Sequence, residues 1–91
     1  MMKSLLPYIE VGFDNNQVVL EVQDLELSDF IEDYLVEECG LEPETIKSGS
    51  KDNFKVVKFY FNTSVLQNQI EDALLKLSPT MIESVYKLNN P

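Results

Sequence analysis

Glu26, Asp29, Asp33 and Glu37 recur at steps of three and four residues, the spacing that places side chains on one narrow face of an α-helix. Like charges so placed repel. Each adjacent pair costs roughly 0.2 to 0.5 kcal/mol in an isolated helix, and a lysine at any of the four positions would turn that cost into a gain. Something other than fold stability therefore favours them. Glu37 and Glu38 also stand near the expected helix C-terminus, where negative charge opposes the helix dipole. Glu32 flanks the row, and Glu42 and Glu44 follow in the next loop, so the candidate surface comprises Glu26, Asp29, Glu32, Asp33, Glu37, Glu38, Glu42 and Glu44. A run of exposed carboxylates can stand in for a polyanion and be recognised by basic protein surfaces.

Other chemistries lack their residues. The chain has no histidine, so neither a Ser-His nor a Cys-His nucleophile can be assembled, and imidazole metal ligation is impossible. The adjacent pairs Glu32/Asp33 and Glu71/Asp72 offer two carboxylates each, but neighbouring helix residues point in different directions and make no acid–base pair. Asp14-Asn15-Asn16 lacks the spaced ligands, glycine and terminal glutamate of a calcium loop. Gly12, Gly40 and Gly49 are isolated, so no glycine-rich phosphate loop is present. No enzyme activity, cofactor or metal is expected. Cys39, the single cysteine, excludes an internal disulfide and reads as a small buried apolar residue in a reducing, cytoplasmic protein.

The charge is segregated along the chain. Residues 1–46 carry twelve Asp/Glu against one Lys and residues 47–91 carry four against six, so the formal charge of -9 resides in the first half. Such a one-signed block sets up a directed field that repels nucleic acid and attracts basic proteins. Lys51, Lys55, Lys58, Lys76 and Lys87 could form a modest positive patch, but read rather as counter-charges to nearby carboxylates or to a subunit interface. With 91 residues, 44% of them hydrophobic, the chain is read as one soluble domain over 1–91, with no segment of membrane-spanning length.

The elements that must position the acidic row follow from periodicity. Alternation over Tyr8–Phe13 and from Val18 predicts two strands joined by a turn at Asp14-Asn15-Asn16. Leu27, Ile31, Tyr34, Leu35 and Cys39 predict a helix over about 28–39, capped by Ser28 and closed by Gly40. A second hairpin runs from Thr45–Ser48 through a turn at Gly49–Asn53 to Phe54–Phe61. A second helix opens at a Ser64/Gln67 capping box, carries Leu66, Ile70, Ala73, Leu74 and Leu77 inward, and ends at Pro79. Thr80–Lys87 reads as a last strand. The expected fold is α+β, a two-layer domain with an antiparallel-rich sheet and two helices on one face, in the order ββαββαβ. An offset of 39 residues places Val18, Leu20 and Val22 on Val57, Phe59 and Phe61, and Ile31-Glu32-Asp33 on Ile70-Glu71-Asp72, as a repeated strand–strand–helix unit would.

In size, acidity, lack of histidine and small α+β layout the whole chain resembles the phage DNA-mimic inhibitors. That resemblance implies occupation of the DNA-binding surface of a restriction nuclease or a histone-like nucleoid protein, without a cofactor. The expected partner is thus a basic DNA-binding protein or nuclease, with no direct nucleic-acid or membrane binding. Two competing readings are an immunity or antitoxin-type protein that neutralises a basic toxin through aromatic anchors such as Tyr34, and a non-catalytic assembly subunit. Tyr8, Val19, Val56 and Tyr60 are expected on the free sheet face as a homodimer surface, with edge-to-edge pairing of the last strand as the other route.

Overall fold

Asn15 and Asn16 both adopt left-handed backbone, with φ of 52° and 66°, and close a two-residue hairpin between β2 (Ile9–Asp14) and β3 (Gln17–Gln23) in the computed structural model, which describes residues 3–51 and 54–89. Asparagine tolerates this conformation, and the tight turn fixes the register Asp14↔Gln17 through Ile9↔Val22. Two further strands, β4 (Thr45–Lys51) and β5 (Phe54–Tyr60), form the second expected hairpin. Gly49, expected in its turn, lies within β4 opposite Val56, and the connection at 52–53 falls outside the described residues.

A strand not foreseen from the sequence, β1 (Lys3–Leu6), pairs with β2 across a turn at Pro7-Tyr8. Proline presets the first turn position while Tyr8 takes φ 68°, the conformation that a type II turn demands after it. The sheet is antiparallel throughout, in the order β1-β2-β3-β5-β4. The β2–β3 and β4–β5 hairpins meet at the middle through β3 and β5, with Leu20 facing Phe59 and Val22 facing Val57.

Among the described residues three α-helices cover one face: α1 (Leu25–Asp33), α2 (Gln67–Leu75) and α3 (Pro79–Asn89). The α+β class stands, but the order is βββαββαα in place of ββαββαβ. The segment expected as a final strand is helical because Pro79 fits the first helical turn, where its missing N–H costs nothing, and Ser78 Oγ accepts from the Thr80 N–H at 3.2 Å. Ile82 is then fully buried, and Val85 and Tyr86, three and four residues on, pack against the same core. Burial on that helical face outweighs the β-propensity of Thr80 and Val85.

The core is one cluster in which Ile9, Val11, Leu20 and Val22 from the first hairpin meet Phe59 and Phe61, Leu27, Ile31 and Leu35 below α1, and Ile70 and Leu74 from α2. α2 starts later than expected. Its cap is Leu66, whose N–H donates to Gln69 Oε1 at 2.7 Å while its carbonyl accepts from the Gln69 N–H at 3.1 Å, so Ser64 and Gln67 do not form the box. Leu66 itself is 60% exposed instead of buried. On the open sheet face Val19 and Val56 are buried at 3% and 5% exposure, whereas Tyr8 belongs to the other side and stacks on Tyr86 with ring centroids 3.8 Å apart. The expected four-residue apolar patch is therefore not assembled. Edge pairing through a last strand is likewise removed, since β1 and β4 form the edges.

Candidate functional site

The acidic row depends on how α1 is anchored. Asp24, at φ 89°, caps the helix by accepting from the Leu27 N–H at 3.1 Å, four residues ahead of the expected cap. Ser28 is buried inside the first turn and donates to the Leu25 carbonyl at 2.6 Å, a back-bond to the chain that leaves no capping role. Leu27, Ile31 and Leu35 are fully buried and fix the inner stripe, so the opposite stripe must face water. Glu26, Asp29, Asp33 and Glu37 occupy it and are all exposed.

After Asp33 the helix widens into a π-helical turn over Tyr34–Glu38. Each residue of a wider turn advances by less than the roughly 100° of an α-helix, which keeps Glu37 in line with Asp33 and Asp29 instead of drifting round the cylinder. Gly40, at φ 67°, then reverses the chain, and the Leu41 N–H donates to the Leu35 carbonyl at 2.8 Å. Tyr34 ties the turn down: its hydroxyl donates to the Ala73 carbonyl of α2 at 2.7 Å. Burial, and then a hydrogen bond with the half-buried Cys39 thiol, raise the Tyr34 phenol above its ordinary pKa. Its polar end is thus engaged within the fold.

The eight expected site residues divide. Glu26, Asp29, Asp33, Glu37, Glu38 and Glu42 are exposed. Glu32 is half-buried on the flank of α1. Glu44 is exposed but held at the end of the sheet, where it accepts from Asn62 Nδ2 at 2.8 Å and Gln17 Nε2 at 3.5 Å. Among the described residues no lysine ammonium comes within ion-pairing distance of any of the eight. Lys3 pairs instead with Glu71 on α2 at 3.3 Å, and Lys47 lies over the Tyr60 ring at 4.9 Å. Neither α1 nor the π-helical turn has a basic residue in its last turn. Among the described residues no three acidic or thiol groups converge as a metal site would require.

Sequence reasoning missed a second feature, on the opposite face. One cross-strand row runs Glu10, Glu21, Lys58, Lys47 from β2 to β4, passing from acid to base, and its basic end borders a cleft over Gly49. The signal was a lone glycine inside a lysine-bearing strand, two residues after Lys47, which the turn assignment for Gly49 concealed.

Comparisons with protein-family models, with curated proteins and with solved structures return no match, so the acidic surface is interpreted from its own geometry. No helix among the described residues is long and apolar enough to cross a membrane.

Proposed function

We propose that the chain is an acidic DNA-mimic inhibitor, which sets the α1 carboxylates against the DNA-binding surface of a basic host protein or nuclease in place of phosphates. The observation that carries this reading is a solvent-facing line of Glu26, Asp29, Asp33 and Glu37 with no lysine neutralising it among the described residues. Consecutive members are separated by about 4.5 to 6 Å along the helix axis, against about 3.4 Å per phosphate on one DNA strand. Glu38 and Glu42 raise the local density towards that of a strand, and a second copy in a two-fold dimer would supply the facing row. The partner would be recognised through lysine- and arginine-rich surfaces that ordinarily hold phosphate.

The test is displacement of labelled duplex DNA from a small set of unrelated basic DNA-binding proteins. The chain should displace DNA from several of them, losing affinity steeply between low and physiological salt as phosphate-like contacts do. Joint replacement Asp29→Lys, Asp33→Lys and Glu37→Lys should abolish displacement while the fold melts at the same temperature or higher. Undiminished displacement by the triple variant rejects the reading, and displacement from one protein alone favours an immunity-type inhibitor.

A further inference from the structure

We propose that the open face of the sheet carries a binding site for a small organic carboxylate, an apolar body bearing one anionic group, in the cleft over Gly49. The cleft has a volume of about 350 Å³ and is bordered by Glu21, Lys47, Gly49, Val56, Lys58 and Tyr60. Its floor exists because residue 49 has no side chain. Glycine is disfavoured inside a strand, and one that persists there often marks close approach by a ligand. Gly49 has no left-handed φ to justify it, and a Cβ built on it meets nothing within 4 Å. Neither the backbone nor the surrounding packing calls for glycine, so the open space is the feature that needs explaining.

The lining specifies the occupant. The half-buried Tyr60 ring supplies the apolar wall, and Val56, the cross-strand partner of Gly49, borders the floor though only 5% exposed. Lys47 and Lys58 face one another across the strands, and Glu21, only 6% exposed, follows Lys58 in the same row with contacts of its own. Two ammonium groups and one carboxylate leave a single positive charge, matched by a monoanion and not by a phosphate dianion. At about 30 Å³ per water the space admits a body of roughly ten non-hydrogen atoms. That is the lower end of small-molecule sites and too narrow for a helix about 10 to 12 Å across.

Titration of the full chain with phenylacetate, acetate and inorganic phosphate, followed by amide NMR, tests the assignment. Phenylacetate should saturate shifts centred on Gly49, Val56 and Lys58 and bind about tenfold tighter than either other anion, because only it buries an apolar body. Gly49→Val places a branched side chain on the cleft floor, and Lys58→Met removes the charge while keeping the stem. Each should weaken phenylacetate binding at least about tenfold. Gly49→Ala, which adds one methyl group, should give a smaller loss with an equal or higher melting temperature, so the test survives if the valine variant fails to fold. The triple lysine variant of α1 should bind as the parent does, which separates this site from the acidic ridge. Equal shifts with all three anions, no saturable shift, or shifts unchanged in Gly49→Ala and Gly49→Val would overturn the proposal.

Discussion

Replacing Asp33 by lysine asks whether the acidic ridge serves the fold. Asp33 is exposed in the last turn of α1, one helical turn after Asp29 and just ahead of the π-helical turn that carries Glu37. The Asp29–Asp33 repulsion of about 0.2 to 0.5 kcal/mol would become an attraction of similar size, with the acid N-terminal to the base in the better orientation. Lysine is also the better helix former by a few tenths of a kcal/mol. The total is about 1 kcal/mol, which in a domain of this size raises the melting temperature by about 4 to 8 °C. Thermal unfolding followed by circular dichroism at low salt reads it directly. Raising the salt to 1 M shortens the Debye length to about 3 Å, half the axial separation of the pair, so most of the gain should vanish. Asp33→Asn should recover about half of the low-salt gain, since it removes the repulsion without adding an attraction. A melting temperature lowered by Asp33→Lys would show that the carboxylate supports the fold and would remove the argument that the ridge persists for a partner, and a gain indifferent to salt would refute like-charge repulsion as its origin.

Two further outcomes follow from the backbone and the ion pair. Asn16→Gly should raise stability by roughly 0.5 to 1 kcal/mol, since Asn-Gly suits a turn with two left-handed residues better than Asn-Asn, whereas Asn16→Val should lower it; urea midpoints report both. A hydrogen bond from Gln67 and then the Lys3 ammonium hold the Glu71 pKa below its usual value, so its contribution is present above the unfolded-state pKa and is lost as pH falls through the lower folded value. Relative to Glu71→Gln, the parent should therefore lose stability faster on acidification below about pH 4.5, measured by urea denaturation at a series of pH values.

The parts legible in advance were those in which period and turn chemistry agree. The Asp14–Gln17 hairpin, the inward faces of β3 and β5, and the buried Leu27-Ile31-Leu35 stripe all lie where alternation or helical spacing sets them. The errors arose where two local readings competed and the core decided. Pro79 serves equally as a helix stop and a first helical residue, and burial of Ile82 selects the second. Ser28 has the right side chain for a cap, but Asp24 takes that place and Ser28 turns inward. β1 is only four residues long and its first two side chains are exposed, too little alternation to register as a strand. For the site, sequence spacing located the acidic row but not the π-helical turn at Tyr34–Glu38, because the helical period of apolar residues carries no sign of a local widening.

The two surfaces also differ in what maintains them. The ridge lies on the helix layer and the cleft on the free face of the sheet, so a basic partner attracted by the field of the ridge meets the helices first and leaves the Gly49 side in water. Simultaneous occupation is then sterically permitted, and any influence of one on the other must pass through the sheet. The available connection is short: Asp24, which caps α1, donates its N–H to the Lys55 carbonyl at 2.8 Å, one residue before Val56 on the cleft floor. A ligand that draws β5 towards the open face would act on the α1 cap through that bond, while one that leaves the strand in place would not. Because the strand is hydrogen-bonded on both sides, by β3 and β4, the rigid outcome is the default, and the ridge and the cleft should bind independently.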